Sequence, residues 1–253
     1  MRITLITQDE PFYLAENINH LIKTLPEHSK VISCVLLPPS PYGKKESLIN
    51  KALKTRKLFG NRFFIRYCFK YLRSKLSSRN VRRVLINHGI NIIELSHSIN
   101  HQVSLEIIRS YNPDLLISIA GNEIFKKQLI ELAPKGCLNL HTALLPKYRG
   151  LMPSFWVLKN REKQTGVSVF FVDEGIDSGP ILVQKNIVIT KPNLEDLIIK
   201  SKKVGMMAIC EAVDLINRGN YKCIPNNDDE MTYFHFPSKS DVKEFIQNGA
   251  KFY

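Results

Sequence analysis

In the middle of the sequence stand Leu115-Leu-Ile-Ser-Ile-Ala120 and Gly136-Cys-Leu-Asn-Leu-His141, two short apolar runs separated by a more polar segment. Runs of this length and composition are typical of strands buried in a parallel sheet. Two similar runs precede them, Arg2 to Thr7 and Val31 to Leu37, with apolar residues at helical spacing between them. This alternation predicts an α/β fold, built on a doubly wound and mostly parallel sheet.

The rest of the chain supplies further elements and a boundary. A helix is predicted from Glu123 to Leu132, and a long one from Leu194 to Arg218. We expect a main unit at residues 1–190, with a basic helical insertion at about 41–85. Residues 191–253 are expected to form a short C-terminal extension made of the long helix, a strand and a short helix.

The composition excludes several classes of protein. The 253 residues are 44% hydrophobic, which is enough for a core without disulfides. The five cysteines are scattered and form no C-x-x-C pair, so we expect reduced thiols and no metal site. No apolar run approaches the ~18 residues of a membrane span, and the first strand is too short for a signal peptide. We therefore expect a cytoplasmic protein.

The positive charge of the chain is concentrated in one segment. Fourteen Lys or Arg lie between Lys44 and Arg83, against the single acid Glu46, while the whole chain has a net charge of +13. Such a segment can be a solvated helical face, a surface for nucleic acid or nucleotide phosphate, or a peripheral contact with an anionic membrane. The interleaved aromatic residues favour a mixture of solvated face and phosphate contact.

Two polar side chains end the second of the central apolar runs. Asn139 and His141 are two positions apart, so they share one face of the strand at the carboxyl edge of the sheet, where such folds bind ligands. A loop follows later, Asp173-Glu-Gly-Ile-Asp177-Ser-Gly-Pro180, and its last acid stands thirty-eight residues after Asn139. An amide, an imidazole and a carboxylate that converge at this edge could steady an oxyanion and move a proton.

These residues stand in a specific order: an N-x-H pair, then Leu144-Leu-Pro-Lys-Tyr-Arg-Gly150, then the loop with Asp177. In this order and spacing the sequence resembles the folate-dependent formyltransferase family, chiefly from Leu115 to Ile189. The resemblance implies a Rossmann-like formyltransferase fold, a catalytic main unit and 10-formyltetrahydrofolate as formyl donor. It also implies that Asn139, His141 and Asp177 are catalytic, with no metal, in passing the formyl group to an amine.

The resemblance further implies two sets of binding residues. The folate is expected to contact residues after the fourth strand and in the acidic loop: Ile119, Ala120, Gly121, Asn122, Ile124, Val172, Asp173 and Gly175. The acceptor mouth is expected to include residues that follow the N-x-H pair: Thr142, Pro146, Tyr148 and Arg149.

Each of these residues also has a purely structural interpretation. Asn139 could cap a strand, and His141 could be a hydrogen-bonded histidine at a sheet edge. Asp177 could be a turn residue between two glycines, and Arg149 could bind a loop carbonyl. For Asn139, His141 or Asp177 alone the structural interpretation is the stronger, whereas the three together in register favour catalysis, and for Arg149 the two interpretations are equally supported.

Comparison with other members of the family narrows the possible classes of acceptor. Glycinamide ribonucleotide transformylase carries a glycine-rich phosphate loop after its first strand, where this chain has Thr7-Gln-Asp-Glu-Pro-Phe-Tyr13. Methionyl-tRNA formyltransferase carries a further C-terminal barrel, and formyltetrahydrofolate hydrolases carry an N-terminal regulatory domain. The sequence therefore predicts an acceptor of the remaining group, a nucleotide-linked amino sugar used in surface polysaccharide biosynthesis.

Two other functions stay open on the sequence. One is a methionyl-tRNA formyltransferase-like enzyme whose basic insertion substitutes for the barrel, so nucleic acid is not excluded as a partner. The other is a non-catalytic binding module that retains the fold. A homodimer and membrane contact through the basic segment 44–83 complete the range of expected partners.

Overall fold

The computed structural model describes residues 1–39, 48–76 and 80–253. The strands are β1 (Arg2–Gln8), β2 (Lys30–Leu37), β3 (Asn91–Ile93), β4 (Leu115–Ile119), β5 (Cys137–His141), β6 (Arg149–Gly150), β7 (Gln164–Phe171), β8 (Ile181–Val188) and β9 (Tyr233–Phe234). The helices are α1 (Leu14–Thr24), α2 (Leu48–Leu76), α3 (Val81–Asn87), α4 (Gln102–Ser110), α5 (Lys127–Ile130), α6 (Pro153–Lys159), α7 (Leu194–Arg218) and α8 (Lys239–Gln247).

Seven of the described strands form one large sheet in the order β3-β2-β1-β4-β5-β7-β8, and β6 and β9 form a second sheet of two strands. The pairs from β3 to β5 are parallel, while β5–β7 and β7–β8 are antiparallel. In the β4–β5 pair, Ser118 is opposite Asn139 and Ile119 is opposite Leu140. The carboxyl ends of these two central strands therefore meet at one edge. The predicted α/β class and mostly parallel sheet are confirmed.

Helices cover both faces of this sheet. Successive residues of β1 point to opposite faces, so Leu5 packs with α1 and α7, whereas Ile6 packs with α4 and α5. The long helix α7 also ends as predicted, with Gly219 in the left-handed conformation after Arg218. Each face therefore has its own apolar core, as a doubly wound fold requires.

The C-terminal extension packs into the main core. Phe245 of α8 is fully buried and stacks on Phe155 of α6 at 4.7 Å between ring centroids. The strand β9 pairs in parallel with β6, and the backbone of Lys251 bridges to that of Asn193 at the start of α7. This long-range pairing was not foreseen from the sequence, and it holds the extension against the loop that follows β5.

The helix predicted from Glu123 to Leu132 is wrong in its extent, because only Lys127–Ile130 is helical. The chain before it is held as a loop by side chains from the segment 98–100. Ser98 Oγ donates to the Glu123 carboxylate, and Asn100 Nδ2 donates to the carbonyl of Ile124 at 2.8 Å. The bond from Asn100 gives the carbonyl of Ile124 a hydrogen-bond partner without a helix. The loop is therefore able to line the carboxyl edge of the sheet.

The basic insertion is helical where it is described. The helix α2 is broken at Gly60, where φ is 85° and ψ is 169°, so it consists of two successive helical segments. Lys44, Lys45 and Arg79, which belong to the basic segment 44–83, lie outside the described residues. Within the described ranges, no helix has both the length and the apolarity needed to cross a membrane.

Candidate active site

A cavity of about 330 Å³ opens at the carboxyl ends of β4 and β5, and we call it the strand-edge cavity. Asn139, His141 and Asp177 all line it. Two loops complete its wall, residues 120–125 after β4 and residues 172–177 after β7. The structure thus brings the three candidate catalytic side chains together from two distant parts of the sequence.

The imidazole of His141 is almost fully buried and held from one side. Its Nε2 lies 2.7 Å from the carbonyl oxygen of Tyr148. Because a carbonyl oxygen can only accept, Nε2 carries a hydrogen and donates it. The other ring nitrogen, Nδ1, lies 3.5 Å from Oδ2 of Asp177. Nδ1 is therefore the atom of this ring that can exchange a proton or donate to a bound group in the cavity.

The carboxylate of Asp177 is fixed by the backbone around it. Its Oδ2 accepts a hydrogen bond of 2.9 Å from the backbone N–H of Gly150. The side chain of Asn226 donates to the carbonyls of Asp177 and Gly179, at 2.9 Å each, from outside the cavity. Asp177 has a φ of 50°, an uncommon conformation for a residue other than glycine. The loop is therefore held in one conformation from both ends.

Left-handed backbone is concentrated around this site. Ala120, Tyr148, Met152 and Asp177 have φ values of 58°, 61°, 51° and 50°. Such conformations persist where the surrounding structure determines them, and they are common at functional sites. Ala120 and Asp177 line the strand-edge cavity, and Tyr148 supplies the carbonyl that binds His141. Three of these four residues thus line the strand-edge cavity or bind a residue that does, while Asn112 and Arg161 are left-handed elsewhere in the chain.

The residues predicted to bind folate lie at this cavity, with one exception. Those that line it are Ala120, Gly121, Asn122, Ile124, Val172, Asp173 and Gly175. Ile119 is buried in the core cluster on the α1 and α7 face and does not line the cavity. Asp173 is engaged locally, because its Oδ1 accepts from Ser178 Oγ at 2.6 Å and from the Gly175 N–H at 3.1 Å. Its carboxylate therefore shapes the loop.

The residues predicted at the acceptor mouth lie elsewhere. Thr142, Pro146, Tyr148 and Arg149 are not among the residues that line the strand-edge cavity. The Tyr148 hydroxyl donates to Glu162 at 2.7 Å, and burial together with this carboxylate raises the pKa of Tyr148 to about 12. A direct contact of these four residues with the acceptor stays a prediction, and the geometry gives Tyr148 and Arg149 structural contacts instead.

Arg149 is buried and serves as a clamp on the C-terminal extension. Its Nη1 donates to Asp228 Oδ1 at 2.7 Å, and its Nη2 donates to both the carbonyl and the side-chain oxygen of Asn226. Asn226 in turn holds the Asp177 loop. The guanidinium therefore acts on the candidate catalytic carboxylate through one intermediate residue. This agrees with the structural interpretation, in which Arg149 binds a loop carbonyl.

Sequence reasoning missed several residues of the strand-edge cavity. Gln8 ends β1, and its Nε2 donates to the carbonyl of Ala120 at 2.5 Å. A polar residue at the carboxyl end of a central strand was the available signal, the same one that marked Asn139. Leu151 and Tyr233 also line the cavity. No local signal marks them, since they arrive through the pairing of β6 with β9.

A second cavity of about 290 Å³ lies under α2, and we call it the aromatic cavity. Its aromatic lining residues come from the start of α1, from α2 and from the C-terminal extension: Phe12, Tyr13, Phe59, Phe63, Tyr67, Phe236, Phe252 and Tyr253. Met152 also lines it, next in sequence to Leu151 of the strand-edge cavity. Only one peptide bond therefore separates their linings at this point.

Cations lie among the rings of the aromatic cavity. Arg66 stacks over the ring of Tyr253 at 4.3 Å, and Lys70 over that of Tyr13 at 3.9 Å. Both reach Glu195, Lys70 at 2.5 Å and Arg66 at 3.4 Å. Burial raises the pKa of Glu195, but the hydrogen bond and charge of Lys70, with Arg66, outweigh it and lower that pKa below its ordinary value. Two cations thus face one carboxylate here.

The start of α1 is already occupied by a carboxylate. Glu10 accepts hydrogen bonds from the backbone N–H groups of Phe12, Tyr13 and Leu14, at 2.8 to 3.1 Å. A helix N-terminus of this kind is a common site for phosphate. Here Glu10 takes the place that a phosphate would occupy, in the loop where the sequence has no glycine.

Comparisons with known proteins identify a matching family and relatives of this chain. The description of the matching family is formyl transferase, and the match covers residues 74–213. A methionyl-tRNA formyltransferase of Kosmotoga olearia is 36% identical over 169 residues, 66% of this chain and 54% of that protein. The chain spans about half the length of the curated relatives it matches.

Solved structures resemble the chain in fold. One is phosphoribosylglycinamide formyltransferase from Bacillus halodurans, with a TM-score of 0.62, 18% identity, and coverage of 87% of this chain and 97% of that one. Another is an N-formyltransferase from Helicobacter canadensis, in complex with folinic acid and dTDP-3-aminofucose. Its TM-score is 0.59 at 16% identity, covering 97% of this chain and 79% of that one. Because the family match spans more than half of its residues, this chain belongs to the formyl transferase family.

Proposed function

We propose that the chain transfers a formyl group from 10-formyltetrahydrofolate to a primary amine, with Asn139, His141 and Asp177 as the catalytic residues. The single observation that carries the proposal is the convergence of these side chains in the strand-edge cavity, with His141 Nδ1 3.5 Å from Asp177 Oδ2. An amide, an imidazole and a carboxylate in one crevice are the groups that acyl transfer to an amine requires.

Asn139 and His141 stabilise the charge that develops in the reaction. When the acceptor nitrogen bonds to the formyl carbon, the carbonyl π electrons move to the formyl oxygen. The Asn139 amide and a protonated His141 Nδ1 donate hydrogen bonds to that oxyanion. Because Nε2 is already committed to Tyr148, the ring cannot turn its other edge to the cavity without losing that bond. Pre-orientation of this kind avoids reorganisation during the reaction.

Asp177 accepts the proton that the amine loses and donates one to the leaving folate nitrogen. The attacking amine must lose a proton after the C–N bond forms, and the folate nitrogen must gain one as its bond to carbon breaks. The Asp177 carboxylate accepts the first proton, directly or through water, and returns one to the leaving nitrogen. The 3.5 Å separation is longer than a good hydrogen bond, and such contacts commonly tighten when substrate binds.

The cavity suits the folate in size and shape. Its volume of about 330 Å³ lies within the range of small-molecule sites. A Cβ added at Gly121 would lie 2.7 Å from Ser118 Oγ, so glycine lets this backbone lie close to β4 without a shift of the Ser118 side chain. The predicted contacts are backbone of the 120–124 loop and of residues 172–175. These positions line the cavity on two sides of the candidate catalytic residues.

For the acceptor we propose a nucleotide-linked amino sugar. The aromatic cavity supports this choice, because its rings can stack on a base, and Arg66 and Lys70 can approach a diphosphate. Leu151 of the strand-edge cavity precedes Met152 of the aromatic cavity in the chain, and on this basis we propose that one acceptor places its amine in the strand-edge cavity and its base in the aromatic cavity. Glu10 at the start of α1 disfavours a phosphate there, which argues against a simple ribonucleotide.

The test is an acceptor screen with mass detection. The purified chain and 10-formyltetrahydrofolate are incubated with dTDP-3-aminofucose and with UDP- and GDP-linked amino sugars. The expected product carries one added formyl group and is absent with Asp177→Asn. A folate analogue could raise the melting temperature while neither the amino sugars nor charged initiator tRNA is formylated. In that case the chain is a binding module and the proposal fails.

A second acceptor class is supported by the curated relatives, which are named methionyl-tRNA formyltransferases at up to 36% identity. The basic segment is the feature of this chain that would contact a tRNA. Charged initiator tRNA is therefore included in the same screen, at low and high salt. Formylation of the tRNA at low salt, with no sugar product, would replace the sugar proposal and leave the catalytic assignment intact.

A further inference from the structure

The outer surface of α2 is apolar where the helix faces away from the body. Ile65, Phe69 and Leu72 are 68%, 68% and 61% exposed. Positions separated by four and seven residues lie on one face of a helix, so these three side chains form a continuous stripe. Exposed apolar residues standing singly are ordinary, but a stripe along one helix marks an interaction surface.

The opposite face of the same helix explains why the stripe points outward. Phe59, Phe63 and Tyr67 of α2 face the body and line the aromatic cavity. Phe63 packs edge-on against Phe252 of the C-terminal extension, with 5.0 Å between ring centroids. The helix is therefore anchored by its aromatic face, and its orientation is not free to turn the stripe inward.

Positive charge flanks the stripe. Residues 48–76 contain nine Lys or Arg and no Asp or Glu. Among the residues that the structure describes, Lys57, Arg62 and Arg73 form no ion pair, and all three are exposed. Arg62 and Arg73 lie on the same helical segment as the stripe, and Lys57 lies on the segment before the break at Gly60. Long basic side chains beside an apolar stripe are the composition of helices that lie in the plane of an anionic membrane surface.

We propose that α2 docks this protein onto an anionic lipid surface, with Ile65, Phe69 and Leu72 entering the interface and the flanking cations contacting lipid headgroups. Charge complementarity identifies the occupant as an anionic surface. The aliphatic and phenyl side chains of the stripe favour lipid over nucleic acid, because a phosphate backbone has no apolar surface on which they can be buried. The inference stands on this surface alone and does not depend on which amine is formylated.

Vesicle binding of the full chain tests the proposal. The probe is a vesicle of phosphatidylcholine with about one third phosphatidylglycerol, compared with phosphatidylcholine alone. We expect co-sedimentation with the anionic vesicles only, weakened at about 1 M salt. The double variant Ile65→Ser/Phe69→Ser should lower the partition coefficient about tenfold or more, because two apolar side chains no longer enter the interface.

A matched pair of residues elsewhere provides the control. Val103 and Ile107 are also exposed apolar residues four positions apart, on α4 at the opposite face of the sheet. Val103→Ser/Ile107→Ser should leave vesicle binding unchanged, and both double variants should keep the melting temperature of the parent. A charge variant, Lys57→Glu/Arg73→Glu, should also weaken binding about tenfold, since each reversal removes one attraction and adds one repulsion.

Several results would overturn the proposal. One is the absence of wild-type binding to anionic vesicles, and another is binding that Ile65→Ser/Phe69→Ser leaves intact. If total tRNA binds in the same concentration range while vesicles do not, the surface is a nucleic-acid surface. If the wild type elutes as a dimer and Ile65→Ser/Phe69→Ser as a monomer, without vesicle binding, the stripe joins two copies of the chain.

Discussion

The strand-edge cavity and the aromatic cavity have linings that include the successive residues Leu151 and Met152, but they are built in opposite ways. In the first, short polar side chains on strands and tight loops are fixed by the backbone, as when Gly150 binds Asp177 and Tyr148 binds His141. In the second, rings and long cations come from helices and from the C-terminal extension, with Arg66 and Lys70 sharing one carboxylate. The first has little freedom, and the second can adapt.

This difference indicates a division of labour. A reaction that develops charge at one atom needs donors fixed in advance, and the strand-edge cavity supplies them. Recognition of a larger acceptor needs surface area and stacking, which the aromatic cavity offers. We therefore expect substitutions in the first cavity to reduce kcat, and substitutions in the second to raise KM. Three kinetic predictions test that separation and a fourth tests what holds α2 on α7, in order from the largest expected effect to the smallest.

The largest effect is expected from Asp177→Asn. The amide keeps the shape of the side chain but removes the charge and the proton acceptor, so kcat should fall about 100- to 10,000-fold. KM for the acceptor should stay within about threefold, because the binding surfaces are intact. Asp229→Asn, in the exposed 3-10 turn of the extension, is the control and should behave as wild type. Steady-state kinetics with near-normal kcat would remove Asp177 from the mechanism.

The second effect concerns a residue that acts from outside the cavity. Asn226→Ala removes the bonds to the carbonyls of Asp177 and Gly179 and the bond from Arg149 to the side-chain oxygen of Asn226. The bond from Arg149 to the backbone carbonyl of Asn226 is kept by an alanine. We expect kcat to fall about tenfold and the free energy of unfolding to fall by about 1–3 kcal/mol.

The neighbouring Asn227→Ala is the control for that variant, since Asn227 makes no side-chain cap bond to the 3-10 turn that it precedes. Asn226→Asp, which keeps the acceptor oxygen for Arg149 but removes the donor to the loop, separates the two contributions. If Asn226→Ala lowers the stability but leaves kcat unchanged, Asn226 stabilises the fold and does not position the Asp177 carboxylate.

The third prediction addresses the aromatic cavity. Phe63→Ala should raise KM for a nucleotide-linked acceptor about tenfold, as expected for one lost ring–base contact, with kcat nearly unchanged. Phe64→Ala changes the adjacent residue, which does not line the cavity, and should leave both constants as they are. A fall in kcat with constant KM would contradict the division of labour.

The smallest effect is a pH-dependent loss of stability in Glu195→Gln. The folded-state pKa of Glu195 lies below its ordinary 4.5, so its stabilising contribution is present above that pH and is lost as pH falls through the lowered pKa. For Lys70, burial lowers the pKa, but bonds to Glu195 and Tyr13 raise it above its ordinary 10.5. Its contribution is therefore complete below pH 10.5 and is lost as pH rises through the raised pKa.

Between those limits we expect Glu195→Gln to lower the free energy of unfolding by about 1 kcal/mol, since the pair is partly exposed. Denaturant titrations at neutral and acidic pH measure the difference. It should shrink toward zero in acid, where the wild-type carboxylate is also protonated. A difference that is the same at both pH values would show that packing, and not charge, holds α2 on α7.

Sequence reasoning predicted the parts of this molecule that depend on local pattern. The alternation of apolar runs gave the sheet, and the two-residue spacing of Asn139 and His141 gave their shared face. The spacing to Asp177 pointed to the carboxylate that lies beside His141. Each of these depends on strand periodicity or on a motif that lies within one segment of the chain.

The parts that could not be predicted depend on distant pairings. Arg149 lies within the motif Leu144 to Gly150, yet its guanidinium binds Asn226 and Asp228, about eighty residues later. The loop at 121–126 departs from helical periodicity because Glu123 and Ile124 are bonded to the segment 98–100. No local propensity reports such contacts, since tertiary structure overrides it. The aromatic cavity was missed for the same reason, as its rings come from three separate segments.

Gly150 has a consequence for engineering. Its N–H orients the Asp177 carboxylate, its φ is 92°, and a Cβ there would lie 2.3 Å from the carbonyl oxygen of Phe234. Grafting the C-terminal segment of another family member, in order to exchange the acceptor, would therefore succeed only if the graft preserves the register of β6 with β9. A shift of one residue would move the Gly150 N–H away from the Asp177 carboxylate. A graft designed to change acceptor selectivity would then lower the turnover instead.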